Sequence, residues 1–384
     1  MTRPSLASMI LLSALALGTT SCSHLSPSKV YYDPLPQITH SEVQGTSLWK
    51  YQSLKGSNKY FNITPIIEND VIYSIDNSGK IIALDKNNGK ERWVQKSQLT
   101  LTAGPSVIGN LLLVGTNSGE ILAYNKFNGE LLWQTQVSSE ILALPSGNQS
   151  LIIISTIDGK LSALDYHSGS VRWIYDKMPP ALILRRGSTP LIYKDKVFAG
   201  LSNGKLVALN KESGTLIWEK SISEPKGRSE LHRMVDIAAD PIILNDNLYV
   251  ATIKGNLAAL DINSGDLRWD IELQVAENFT LNDKTLFVVD TKNHILAVDA
   301  LNGTVLWRQN ELKGRPLLSP MSSKKWLIIG DKEGVIYWLD KKTGKLIGTY
   351  ENKFKLASNL IISDNKLYLQ GKNGTLAAIQ ISKK

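Results

Sequence analysis

Cysteine is almost missing from this chain: Cys22 is the only one in 384 residues, which excludes an internal disulfide. Histidine is nearly as scarce. None of the five (His24, His40, His167, His232, His294) has a partner at metal-ligand spacing, so a resident metal is not expected. No G-x-S-x-G elbow, P-loop or H-E-x-x-H motif is present, which removes the commonest hydrolase, nucleotide-binding and zinc-protease readings. Helical periodicity is nowhere sustained over a dozen residues. The one long apolar run, Leu6–Leu17, is too short to cross a bilayer as a mature helix. Disorder is excluded in turn, because 42% of the residues are apolar and only 20% charged.

What is abundant is self-similarity. GNLAALDINSGDLRW, ending at Trp269, recurs as GKIIALDKNNGKERW, GEILAYNKFNGELLW, GKLSALDYHSGSVRW, GKLVALNKESGTLIW and NHILAVDALNGTVLW. A further copy, GVIYWLDKKTGKLIG, has Gly348 where the tryptophan belongs. Each unit reads as four short strands, in the first copy roughly Tyr60–Ile67, Val71–Ile75, Lys80–Leu84 and Glu91–Gln95, separated by Asn/Asp/Ser-Gly turns. Asp85, Asp165, Asp261, Asp299 and Asp340 share one repeat position with Asn125 and Asn210. An amide cannot titrate, so that position signals turn hydrogen bonding, not acid–base work.

A strand at SLWKYQ near Thr46 has no first half, and the C-terminal copy Phe354–Ile381 has no second half. Joining them gives an eighth unit and closes a ring, which leaves no open repeat faces. The expected fold is therefore all-β, an eight-bladed β-propeller over residues 46–384, with the N-terminal strand completing the C-terminal blade. The tryptophans are expected to wedge between neighbouring blades, each contributing on the scale of large-to-Ala costs, ~3–5 kcal/mol.

Tryptophan spacing runs 44, 40, 40, 45, 51 and 38 from Trp49 to Trp307, so two intervals are long. The extra residues lie in Met178–Thr189 and Ser223–Asp240, each leading into the first strand of the next blade. They should emerge side by side on one face. Apolar Leu182, Ile183 and Leu184 beside Arg185 and Arg186, with Arg233 and Asp236 in the second segment, make the anchor-plus-arginine composition of a protein-binding patch.

At the N-terminus, Arg3, the apolar run and Gly18-Thr19-Thr20-Ser21 have the order of a secretory signal. Residues 1–21 are expected to be removed. Cys22 then resembles the lipidated first residue of bacterial lipoproteins, although Thr19 stands where their motif prefers leucine; an ordinary signal with an incidental cysteine is the alternative. Residues 22–45, polar and proline-containing, read as a tether. The formal charge of +8 rests on lysines spread through the repeat turns (Lys80, Lys160, Lys205, Lys345), the usual address of solvated charge, so nucleic acid is not an expected partner.

The repeat A-[LVY]-[DN]-x-x-[NST]-G-x-x-x-W resembles that of the pyrroloquinoline-quinone propeller family over nearly all of the mature chain. That family holds quinoprotein dehydrogenases and a non-enzymatic lipoprotein branch of the outer-membrane β-barrel assembly (BAM) machinery. The dehydrogenases typically carry a vicinal cysteine pair and a calcium site, and neither is evident here. LILRRGSTP and RMVDIAADP look like the lipoprotein-branch segments that bind the periplasmic POTRA domains of BamA. The resemblance implies partner contacts at Leu182, Leu184, Asp236 and Arg185 or Arg186, with Arg233 nearby; a second aspartate of that motif is here Ala238. It further implies no cofactor, attachment to the periplasmic face of the outer membrane, and assistance to unfolded outer-membrane clients, whose strands exposed blade edges could hold. The rivals are a quinone-dependent dehydrogenase or quinone-binding sensor, and a sugar- or peptidoglycan-binding propeller.

Overall fold

Alternating apolar runs broken by Asx-Gly turns fold as that pattern dictates. A computed structural model describes residues 34–35, 38, 41–52, 54–56, 62–180, 182–185, 187–229 and 233–383. The shared Asp/Asn position makes the turn between third and fourth strands. In all seven copies its Oδ1 accepts the backbone N–H two residues on, at 2.7–3.0 Å. The glycine four residues beyond it has positive φ, for example +70° at Gly265.

The strands assemble into eight antiparallel sheets. Blade 1 comprises Ile66–Glu68, Val71–Ile75, Lys80–Asp85 and Glu91–Lys96. Blade 8 comprises Ile361–Ser363, Lys366–Gln370, Thr375–Lys383 and, as its outer strand, Val43–Gln52. The fold is an eight-bladed β-propeller, closed as expected by the N-terminal strand. First strands of neighbouring blades touch one another, which places them around the axis. One feature is new: Asn62–Ile63 pairs parallel with Leu101–Ile108, giving the second sheet a fifth strand. The closing strand begins at Val43, three residues ahead of the expected boundary. Upstream, Leu35 and Ile38 pack on the core between blades 6 and 7.

Seven outer-strand tryptophans perform one job. The indole N–H of Trp49, Trp93, Trp133, Trp173, Trp218, Trp269 and Trp307 donates to a carbonyl of the next blade at 2.8–3.3 Å. Its ring lies over that blade's turn glycine. A Cβ on Gly265 would stand 2.7 Å from Trp218, so the glycine is required for the approach as well as for its φ.

Blade 7 departs from this pattern for a reason the topology supplies. Its neighbour, blade 8, has no turn between third and fourth strands, because its fourth strand comes from the other end of the chain. There is no turn glycine to receive an indole, and Gly348 replaces the tryptophan. Elsewhere the tryptophan is paired across the sheet with an alanine (Ala208 with Trp218); in blade 7 Trp338 faces Gly348. The large and small residues have changed strands. Trp338 is fully buried between blades 7 and 8, and Ser41–Val43 crosses the space beside Gly348, where Glu42 N–H donates to Ile347 C=O at 2.9 Å.

Candidate partner-binding site

Successive strands in a blade run in opposite directions. Fourth-to-first connections and second-to-third turns therefore share one face of the disc, and the other turns share the opposite face. Both long segments are fourth-to-first connections, Met178–Thr189 before blade 4 (first strand Leu191–Tyr193) and Ser223–Asp240 before blade 5 (first strand Ile242–Leu244). They lie side by side, as expected, and they are bonded together. Leu184 N–H donates to Asp236 Oδ2 at 3.4 Å, and Thr189 N–H to Asp240 Oδ1 at 2.6 Å. Asp240 is itself clamped to blade 6, accepting from Asn278 Nδ2 at 2.6 Å while its N–H donates to Asn278 Oδ1 at 2.9 Å.

Between the segments lies a cleft lined by Met178, Pro179, Ile183, Leu184, Leu201 and Asp236, among others. Met178 stands 88% exposed and Leu182 42%, whereas Ile183 and Leu184 are half-buried. Met178 and Leu182 thus project from a loop that Ile183 and Leu184 help to hold down. That is the geometry of a surface anchor.

Arg185 is exposed, and its guanidinium is held by Glu140, a nearly buried carboxylate of the connection before blade 4's neighbour, blade 3. The sequence reading missed Glu140. A signal was available: Glu140, Arg185 and Asp236 each stand five residues before the proline that precedes a first strand (Pro145, Pro190, Pro241). The backbone confirms the equivalence for two of them, since Glu140 C=O accepts from Ile157 N–H and Asp236 C=O from Ile253 N–H, each at 3.1 Å. Three neighbouring blades therefore present acid, base and acid at one rim position.

Asp236 differs from the exposed contact residue its sequence position suggested. It is 1% exposed; Oδ2 takes the Leu184 amide, and Oδ1 meets no donor among the described residues. Burial pushes its carboxyl up to about 6, against the lesser stabilisation from the Leu184 and Asp236 amides and Ser202. Ala238, in the place of the second motif aspartate, is buried as well. Arg233 is exposed, its N–H donating to Ser229 C=O at 3.1 Å. Arg186, Glu230 and His232 lie outside the described residues, as do Cys22 and the signal segment. Elsewhere His294 Nδ1 pairs with Asp290 Oδ2 at 2.8 Å, and no three His, Cys, Asp or Glu side chains among the described residues converge as metal ligands.

The family profile described as "Outer membrane protein assembly factor BamB" matches residues 77–309 and 292–383. This chain belongs to the BamB family. The BamB protein of Legionella pneumophila is 40% identical over 380 residues, spanning 97% of this chain and 99% of the relative. That of Escherichia coli is 31% identical over 381 residues, spanning 96% and 97%. The crystal structure of BamB from Moraxella catarrhalis superposes with a TM-score of 0.79 at 24% identity, covering 88% of this chain and all of that one, a likeness of fold. The relatives' name ties the BamB family to outer-membrane protein assembly.

A buried carboxylate with no cation beside it among the described residues is a costly thing to keep, and Asp236→Asn tests what it is kept for. With its folded-state pKa raised above 3.8, the folded protein holds this proton more tightly than the unfolded chain does. The associated stability is fully present below about pH 4 and lost as pH rises through about 6. Above pH 7 the charged group costs up to about 3 kcal/mol. Asparagine keeps an acceptor for Leu184 and carries no charge. Urea denaturation should show Asp236→Asn more stable than the parent at pH 7.5 by about 1–3 kcal/mol, the two converging at pH 4. Equal stability at both pH values would refute the assignment.

Proposed function

We propose that this protein is a lipid-anchored periplasmic scaffold without catalytic activity, docking the POTRA domains of BamA and assisting the folding and insertion of outer-membrane β-barrel proteins. Membership of the BamB family supports the assembly role. The observation that carries the docking role is the cleft between the two long segments. Beside it Leu182 projects as an anchor and Arg185 stands pre-oriented by Glu140, while the buried Asp236 takes the Leu184 amide from below. Leu182 enters a groove of the partner, and Arg185 makes charge-assisted hydrogen bonds to it. Asp236, buried beneath the loop, orients it by holding the Leu184 amide. Arg186 and Arg233 flank this centre, and Cys22 carries the acyl anchor. Exposed blade edges provide a place for client strands, blunted by their lysines and glutamates.

Affinity purification of the full-length protein from cells tests this. Leu182→Asp should abolish recovery of BamA while secretion level and thermal unfolding stay at parental values. Undiminished recovery from a folded Leu182→Asp protein would overturn the docking role.

A further inference from the structure

The lysines are spread along the repeats, but their excess is not. Residues 273–384 hold 17 Lys plus Arg against 10 Asp plus Glu, while residues 22–272 hold 25 of each. All the net positive charge of the chain after residue 21 belongs to blades 6 to 8. Within that sector one group of side chains shares a face. Lys284 and Lys324-Lys325 sit in first-to-second turns, Lys342 and Lys345 in a third-to-fourth turn, and all five are exposed. Lys341 knots these turns together, its Nζ donating to Asn282 Oδ1 at 2.6 Å and Ser323 C=O at 2.8 Å. Asp283 is the one exposed carboxylate among the described residues of these turns. Leu301, Val305 and Leu306 of blade 6 stand 43–60% exposed on the same side, and Lys325 lies over the Trp326 ring.

By the alternation of strand direction, this face is opposite to the one bearing the Leu182 cleft. It is also where the N-terminal segment arrives. Leu35 and Ile38 pack between blades 6 and 7, and Glu42 bonds to Ile347, one residue into the outer strand that follows the Lys342–Lys345 turn. Pro34 lies twelve positions after Cys22, a reach of about 40 Å at full extension.

We propose that the face of blades 6 and 7 presenting Lys284, Lys324, Lys325, Lys342 and Lys345 rests on an anionic lipid bilayer, leaving the Leu182 cleft turned away from the membrane. This rests on the membrane attachment proposed above. A basic cluster with apolar neighbours, fed by a short tether, is complementary to negatively charged headgroups in a way the neutral remainder of the disc is not. An acidic protein is the competing occupant; the placement of the tether favours lipid.

The test uses the chain from residue 22 with Cys22→Ser, so that no acyl group contributes, co-sedimented with vesicles at 50 mM salt. Vesicles of phosphatidylcholine with 30% phosphatidylglycerol should bind it, and pure phosphatidylcholine should not. Charge reversal at Lys324, Lys325, Lys342 and Lys345 should weaken binding by more than about tenfold, and 500 mM salt should abolish it. The same number of reversals at exposed Lys50, Lys90, Lys96 and Lys226 should leave most of the binding intact. Equal losses from the two sets, binding to neutral vesicles, or retention on immobilised polyglutamate without binding to anionic vesicles would each overturn the proposal. Recovery of BamA, read at Leu182, reports on the opposite face, so failure of either reading leaves the other measurable.

Discussion

Trp338→Ala is expected to destabilise the propeller by about 3–5 kcal/mol, the range for emptying a fully buried large aromatic site. The expectation runs against the repeat itself. Six copies place alanine at this position (Ala83, Ala123, Ala163, Ala208, Ala259, Ala297), and the eighth unit has Ala378. A consensus argument would therefore predict that alanine is tolerated or stabilising. Packing says otherwise. Trp338 fills the joint between blades 7 and 8 that an outer-strand indole fills elsewhere, in contact with a core that includes Leu318, Ile336, Leu367 and Ile379. Its indole N–H meets no acceptor among the described residues, so the loss is one of packing. Restoring the usual arrangement with Trp338→Ala and Gly348→Trp together should not rescue stability. A Cβ on Gly348 already lies 3.2 Å from Val43 C=O, and blade 8 has no turn to receive the ring. Chemical denaturation of the two variants decides it: a double variant as stable as the parent would refute the topological explanation.

Arg185→Glu should weaken binding of isolated POTRA domains by more than about a hundredfold, the scale of losing a charge-assisted contact and adding repulsion at one centre. Arg185→Ala should lose less. The difference comes from Glu140, which in the parent holds the guanidinium at its place and in the Glu variant faces a like charge. Glu140→Gln gives the complementary result. It keeps the shape and leaves Arg185 in place but unpaired, so affinity should fall several-fold, without a change in fold. Titration calorimetry against the purified POTRA domains measures all three. Equal affinities for Arg185→Glu and Arg185→Ala would mean that Glu140 has no part in positioning residue 185.

Much of this structure was legible because a repeat reports the same physics several times. The Asx-Gly turns, the alternation of Ile, Leu and Val with small residues, and the split eighth unit specified an all-β ring. The seven indole bonds follow from one tryptophan at one position. What remained unreadable was whatever depends on the neighbouring blade. Gly348 looked like a missing tryptophan; only pairing showed that Trp338 had taken over its volume. Asp236 looked like a surface contact because it sits in an interruption, yet the segment turns inward at Met234 and buries it. Glu140 was hidden because it interrupts nothing, and its part in the site comes from a residue 45 positions away. The charge sector was hidden differently: its lysines are ordinary turn residues one by one, and only folding gathers five of them on one face.

Binding of the assembly partner is assigned to the face interrupted by the two long segments. A photo-crosslinking amino acid at position 182, in the full-length protein in living cells, tests it most directly. The matched control is position 127, since Phe127 is 66% exposed in a third-to-fourth turn on the opposite face. Crosslinking of BamA from position 182 and none from position 127 is the predicted result. BamA captured from position 127 and absent from position 182 would contradict it.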